Sequence, residues 1–83
     1  MKIVYSEHAR QNMIERRITP TQVEETMLNP EQVVISKKER KIAQKTIGNR
    51  TLRVVYKETE KVYIIVTLYY TRIGRYWNES KIW

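Results

Sequence analysis

The chain lacks cysteine and aspartate and has one histidine among its 83 residues. The absence of cysteine excludes disulfides, thiolate zinc sites and thiol nucleophiles. Two-metal phosphodiesterases hold Mg²⁺ through clustered carboxylates, usually with aspartate among them. Here all nine acids are glutamates, and only Glu24 and Glu25 are adjacent. Since neighbours on a helix point in different directions, the pattern disfavours a metal-dependent nuclease, and we expect no metal or cofactor.

Long apolar runs are also lacking. No stretch approaches the roughly 20 apolar residues of a transmembrane span, and the N-terminus has no secretion-type apolar segment. We therefore expect a cytoplasmic protein without membrane contact, folded as one domain over residues 1–83.

Positive charge is abundant. The 16 lysines and arginines outnumber the nine glutamates, which gives a formal net charge of +7. Such a surplus on a small body favours a polyanion, such as nucleic acid, or an acidic protein as partner. The plain alternative is a basic, solvated surface.

Helix signals come first along the chain. Ser6 is a candidate N-cap for a helix over about 7–16, and Thr19-Pro20 has the capping and first-turn residues of a second helix over about 20–28. Asn29-Pro30 ends that helix.

Strand signals follow. The sequence predicts an α+β fold with two N-terminal helices followed by a four-stranded antiparallel sheet. Lys2–Tyr5 alternates weakly, as a short additional strand would, and the segment after Tyr70 is left open as tail, edge strand or turn. The four predicted strands are Gln32–Ser36, Lys41–Ile47, Thr51–Lys57 and Val62–Tyr70.

An ordered set of short motifs carries a family resemblance. The motifs are Ser6-x-His8-Ala9, Met13, Arg16, Ile18-Thr19, Val23, Asn29-Pro30, Arg53-Val54-Val55-Tyr56 and Val66-Thr67-Leu68-Tyr69. This set resembles a family of small domains of unknown function that is grouped with the RelE/ParE toxin superfamily and is similar in layout to BrnT-type toxins. The resemblance extends over nearly the whole chain.

The resemblance implies a RelE-like fold, a toxin–antitoxin setting and, in many members of the superfamily, ribonuclease activity on messenger RNA. ParE-like members instead inhibit gyrase. Two positions depart from the pattern. Asn12 stands where members often have a basic residue, and Arg17 stands where they often have glycine.

RNA cleavage needs no metal, because the 2′-hydroxyl is the nucleophile and a base, an acid and a cation complete the requirement. Histidine titrates near neutral pH, and arginine grips two phosphate oxygens at once. We therefore interpret His8, Arg16 and Arg53 as candidate catalytic residues. The candidate RNA-binding residues are Arg10, Arg17, Lys45, Arg72, Arg75 and Tyr76.

Each candidate has a structural alternative. His8 could pack locally, Arg16 could pair with a glutamate or the helix end, and Arg53 could belong to a solvated sheet face. Lys45 has a similar alternative, and Tyr56 is better explained as core. The aromatic and arginine-rich C-terminus suits either base stacking or a protein interface.

Three functions follow from these candidates. The first is a toxin-like, metal-independent endoribonuclease that acts on mRNA, either free or ribosome-bound, and that a small acidic antitoxin neutralises. The second is a non-catalytic basic module that binds RNA or a protein such as gyrase. The third is an oligomeric interaction protein, for instance a homodimer through the aromatic C-terminus.

Overall fold

The computed structural model describes residues 2–72, which form two helices and five strands. None of the helices in this part of the chain is long and apolar enough to cross a membrane. The predicted strand and helix boundaries are confirmed to within two residues. The elements are β1 (Lys2–Tyr5), α1 (Glu7–Arg16), α2 (Pro20–Leu28), β2 (Gln32–Ile35), β3 (Arg40–Ile47), β4 (Arg50–Glu58) and β5 (Val62–Arg72).

Helix α1 is fixed to the sheet by its N-cap. The Ser6 side-chain oxygen accepts a hydrogen bond from the Ala9 N–H at 3.0 Å, and the Ser6 hydroxyl donates to the Val66 carbonyl at 2.9 Å. The Ser6 backbone N–H also donates to the Ile65 carbonyl at 3.0 Å. One residue therefore satisfies the helix start and joins it to β5.

Helix α2 begins with a capping box. The Thr19 side chain accepts from the Gln22 N–H, and the Gln22 side chain accepts from the Thr19 N–H. Pro20 occupies the first helical turn, where its missing N–H has no intrahelical partner to lose. The helix ends at Asn29, as the Asn29-Pro30 signal predicts.

The sheet is where the sequence-based fold prediction was wrong. It has five strands in the order β1-β5-β4-β3-β2 and is mixed, not four-stranded and antiparallel. Lys2–Tyr5 is the fifth strand and pairs parallel with the segment of β5 from Val62 to Ile65. The remaining pairs are antiparallel, and the overall class is still α+β.

The missed pairing has a physical reason. Antiparallel neighbours are joined by short turns that leave a local signal, whereas parallel partners need a long crossover. Here the crossover from β1 to β5 contains both helices and three strands. A four-residue edge strand leaves no sequence mark of its distant partner.

The helices cover one face of the sheet. Leu52, Val54 and Tyr56 of β4 point toward them, and all three belong to the core that also contains Ala9 and Val23. The prediction that Tyr56 is core is therefore confirmed. Its ring meets the Tyr63 ring edge to face at a centroid distance of 5.4 Å. Because strand residues alternate, Arg53 and Val55 lie on the opposite face.

Candidate functional site

An arginine-lined cleft lies where α1 ends, β4 begins and β5 ends. Its volume is about 480 Å³, and we call it the arginine cleft. Arg72 lies directly opposite Arg50 in the β4–β5 register, next to the cleft. The lining residues are Glu15, Arg16, Arg17, Arg50 and Tyr70.

Arg16 is held in place by a buried amide. Its Nη1 donates to the Asn12 side-chain oxygen at 2.7 Å, and the Asn12 amide donates in turn to the Thr67 hydroxyl at 2.6 Å. Asn12 is buried, so this chain ties the guanidinium to β5. Asn12 stands where the resembled family often has a basic residue, and it positions Arg16 through a neutral amide. Within residues 2–72, Arg16 therefore has no ion-pair partner.

Arg17 occupies a conformation that favours glycine. It is the C-cap of α1 with φ of +54°, and the next residue, Ile18, donates its N–H to the Met13 carbonyl at 2.9 Å. Glycine is the usual residue at such a left-handed helix end because it has no Cβ. A glycine here, as the resembled family often has, would adopt this conformation without the cost of a Cβ. Arg17 keeps a cation at the mouth of the cleft despite the backbone cost.

Arg50 is the functional candidate that the sequence did not single out. Its guanidinium carbon lies 3.9 Å from the centroid of the Tyr70 ring, and the Tyr70 hydroxyl donates to Gln22 at 3.1 Å. The Gly48-Asn49 turn before β4 and the end of β5 were both visible in the sequence. Only the strand register, which pairs Arg50 with Arg72, brings the two arginines to one end of the sheet.

The net charge of the cleft is positive. Arg16, Arg17 and Arg50 stand against one acid, Glu15, whose carboxylate accepts a hydrogen bond from Gln11 at 3.1 Å. Guanidinium groups that are not paired with carboxylates are suited to bind phosphate oxygens bidentately. The cleft is therefore a candidate anion site.

A larger depression of about 700 Å³ lies at the other end of the sheet. It is lined by three glutamates together with Arg40 and Lys41, and Lys41 pairs with Glu58 at 3.1 Å. That hydrogen bond raises the pKa of Lys41. Because its charges largely cancel, this depression is a weaker anion site than the arginine cleft.

His8 and Arg10 are exposed on α1 and do not line the cleft. His8 precedes Asn12 by four residues, as Asn12 precedes Arg16, so the three form a row along one side of the helix. The row spans about 12 Å of helix axis from His8 to Arg16. A ligand that extended from the cleft along α1 would therefore pass His8.

Arg53 does not join the other candidates. It is 3% exposed on the face away from the helices, with its guanidinium carbon 5.8 Å from the Tyr69 ring centroid. In the register it stands between Gln44 and Tyr69. The sheet separates Arg53 from the arginine cleft. Because Arg53 is buried, it also does not belong to a solvated sheet face, which was the structural alternative for this residue.

Lys45 is engaged within the fold. Its Nζ donates to the Asn29 carbonyl at 3.1 Å and lies 3.5 Å from the Glu25 carboxylate. These contacts tie β3 to the C-terminal end of α2, where a cation also suits the helix dipole. Lys45 lies outside the lining of the arginine cleft.

Two predicted RNA-binding residues, Arg75 and Tyr76, lie outside the described residues. Within residues 2–72, no group of three or more histidine or glutamate side chains is placed to hold a metal ion. The described cations that line the arginine cleft are the guanidinium groups of Arg16, Arg17 and Arg50.

Comparison with known families gives a match to a family model. The model of a domain of unknown function, DUF4258, covers residues 5–70, which include α1, α2 and the arginine cleft. Among curated proteins and among solved structures, no significant match is found. Because the family model spans most of the sequence, the chain belongs to the DUF4258 family.

Proposed function

We propose that this chain binds RNA at its phosphate groups through the arginine cleft. The observation that carries the proposal is the convergence of Arg16, Arg17 and Arg50 on one cleft, in which Glu15 is the one carboxylate among the residues that the structure describes. The formal net charge of +7 adds long-range attraction for a polyanion. Each guanidinium offers a planar pair of donors that matches two phosphate oxygens.

The size of the cleft favours single-stranded RNA. A volume of about 480 Å³ is in the range of small-molecule sites and suits one nucleotide unit. A duplex would bring two strands of fixed geometry to a cleft whose volume suits one nucleotide of a single strand. We therefore place a backbone phosphate at Arg16 and Arg50, with Arg17 and Arg72 on its neighbours.

Fluorescence anisotropy with labelled single-stranded RNA at increasing salt tests this proposal. We expect log affinity to fall linearly with log salt, and the slope to become shallower by about 0.7 when one phosphate contact is removed by Arg50→Gln. The same variant should weaken binding about fivefold to thirtyfold, as the loss of a charge-assisted contact does.

Lys61→Gln is the matched control. It removes the same charge from the turn at the other end of the β4–β5 hairpin. An equal loss of affinity in Lys61→Gln and Arg50→Gln would show that only the overall charge matters, and it would contradict a site at the cleft.

A second candidate function is cleavage of the bound strand by a toxin-like, metal-independent endoribonuclease. The row from His8 to Arg16 supports it, because a strand held at Arg16 and running along α1 would pass His8. His8 would take the 2′-hydroxyl proton of a nucleotide further along the strand, and Arg16 would hold the strand through a bound phosphate. The 2′-oxygen would attack the phosphorus and displace the 5′-oxygen, which would take a proton from water, and the products would be a 2′,3′-cyclic phosphate and a 5′-hydroxyl. Arg53, on the opposite face, has no part in this arrangement.

Cleavage is tested with radiolabelled RNA in EDTA, with and without ribosomes, for the wild-type protein and His8→Ala. Products with 2′,3′-cyclic ends that disappear in the variant would support the enzyme. Salt-dependent binding with intact RNA under every condition would leave the binding module and reject the nuclease.

The proposed partners follow from the same cleft. A cytoplasmic setting would supply mRNA, and a small acidic antitoxin would neutralise the protein by covering the arginines. An acidic protein target, in the manner of a gyrase inhibitor, is the competing idea. A competition experiment separates RNA from an acidic protein target as the ligand. Labelled RNA bound to the chain is displaced either by unlabelled RNA or by polyglutamate at the same concentration of charge. Equal displacement by the two competitors would favour the protein target.

A further inference from the structure

We propose that two copies of this chain associate by pairing their β2 strands edge to edge, so that the two sheets become one. This inference concerns the side of the sheet remote from β1 and is independent of RNA binding. It rests on the exposed side chains, the backbone edge and the charge pattern of the segment from Glu31 to Lys37.

Exposed apolar side chains concentrate around β2. Of the five large apolar residues that are exposed within residues 2–72, three fall between positions 28 and 35. Val33 is 43% exposed and Ile35 is 66% exposed, and both lie on the helix-covered face of the sheet, since Val33 pairs with the core residue Ala43. The full set is Val4, Ile14, Leu28, Val33 and Ile35.

Within the described part of the chain, one edge of β2 has no neighbouring strand. β2 ends the strand order and, within residues 2–72, pairs only with β3. Ser36 donates its N–H to the Arg40 carbonyl at 2.7 Å, so even-numbered residues direct their hydrogen-bonding groups toward β3. By alternation, Val33 and Ile35 direct their N–H and C=O groups outward.

The outward groups and the two-fold symmetry restrict the register of an antiparallel β2–β2 pair. Outward groups exchange hydrogen bonds only when odd-numbered residues face odd-numbered residues. If Val33 lies opposite Val33 of the second copy, the charged Glu31 lies opposite the apolar Ile35. If Ile35 lies opposite Ile35 of the second copy, the apolar Val33 lies opposite the charged Lys37. Centring the axis on Val34 instead places Val33 opposite Ile35 twice. Glu31 and Lys37 then flank this pairing just outside β2, and only their side chains can meet, because the Glu31 N–H donates to the Gln44 carbonyl and the Lys37 carbonyl accepts from the Arg40 N–H.

That register is self-complementary in both apolar contact and charge. Cross-strand pairs of apolar or opposite-charge residues stabilise antiparallel strands, and like charges do the reverse. A charged residue in an edge strand blocks such pairing, as Lys2 does in β1, but β2 itself contains none. A second copy therefore fits the β2 edge.

Sedimentation velocity on the full chain at concentrations from about 1 to 500 µM tests the proposal. Because a four-residue strand buries little area, we expect the dimer to have a dissociation constant in the micromolar range. Ile35→Lys should weaken the dimer at least tenfold. Ile14→Lys is the matched control, because Ile14 is equally apolar, is 79% exposed and lies on α1. A monomer at every concentration, or equal effects of the two variants, would overturn the proposal.

The register has its own test. Lys37→Glu should weaken the dimer about threefold to tenfold by facing Glu31 with a like charge. Mixing it with Glu31→Lys should restore association as a heterodimer, since both charge pairs then become attractive; failure to restore it with both variants folded would overturn the register. Glu31 also accepts hydrogen bonds from Thr46, so circular dichroism must show that its variant is folded.

Val33→Pro is an independent test of the edge pairing. It removes an outward N–H without touching the β2–β3 ladder, and it should abolish the dimer.

Discussion

The guanidinium carbon of Arg50 lies 3.9 Å from the centroid of the Tyr70 ring. A ring holds a guanidinium in place without neutralising it, whereas a carboxylate would cancel its charge. The contact therefore fixes Arg50 at the cleft and leaves its donors available to an anion. Asn12 does the same for Arg16 with a neutral amide.

Tyr70→Leu should weaken RNA binding, because Arg50 loses its platform and must be ordered by the ligand. We expect a loss of about twofold to fivefold, which corresponds to an exposed cation–π contact of about 0.5–1 kcal/mol. Tyr70→Phe keeps the ring and loses only the hydrogen bond to Gln22, so its affinity should stay closer to wild type. Anisotropy titrations measure both, and equal losses would contradict a role for the ring.

Arg17→Gly should stabilise the fold and weaken RNA binding at the same time. The residue's φ of +54° strains a side chain with a Cβ, and relief of that strain should raise the free energy of unfolding by about 0.5–1 kcal/mol. Loss of its charge should lower the RNA affinity. Urea denaturation and anisotropy measure the two effects.

Lys38→Gly is the control for that substitution. Lys38 also has a positive φ, of +57°, and also carries one positive charge, but it lies in the turn between β2 and β3. We expect a similar gain in stability with RNA affinity nearly unchanged. If both variants lost affinity equally, Arg17 would have no special place at the cleft.

Asn12→Asp should reduce RNA affinity with the fold retained. Aspartate has the same shape and can still accept from Arg16, while the Thr67 hydroxyl can turn to donate to it. The added charge neutralises Arg16, so the salt slope should become shallower by about 0.7. Gln11→Glu adds the same charge to the neighbouring residue of α1, whose side chain bonds Glu15, and should change the slope less. Identical slopes in the two variants would contradict the positioning role of Asn12.

The sequence predicted what is encoded locally. Ser6 and the Thr19-Pro20 pair marked the helix starts, and alternation placed Leu52, Val54 and Tyr56 on the core face. It could not predict the parallel pairing of β1 with β5, which joins residues about 60 positions apart without a turn signal. Arg50 was missed for the same reason, since its place at the cleft depends on the register with Arg72.

Tyr5→Phe should raise stability at neutral pH. The Tyr5 hydroxyl oxygen is buried and has no hydrogen-bond partner among the described residues, and such a group costs about 1–3 kcal/mol. We expect a gain of about 1 kcal/mol in the free energy of unfolding, measured by urea denaturation at pH 8.

Tyr5 should also make the fold sensitive to alkali. Burial, with a smaller contribution from Glu24, raises the pKa of Tyr5, whereas in the unfolded chain a tyrosine titrates near 10. Above about pH 10 the native protein keeps a proton that the unfolded chain releases, so stability falls as pH rises through the native pKa. Tyr5→Phe should lose less stability than wild type between pH 8 and about pH 11. Some loss should remain, because burial also raises the pKa of Tyr56. Parallel curves for wild type and Tyr5→Phe would mean that Tyr5 has solvent access in the folded protein.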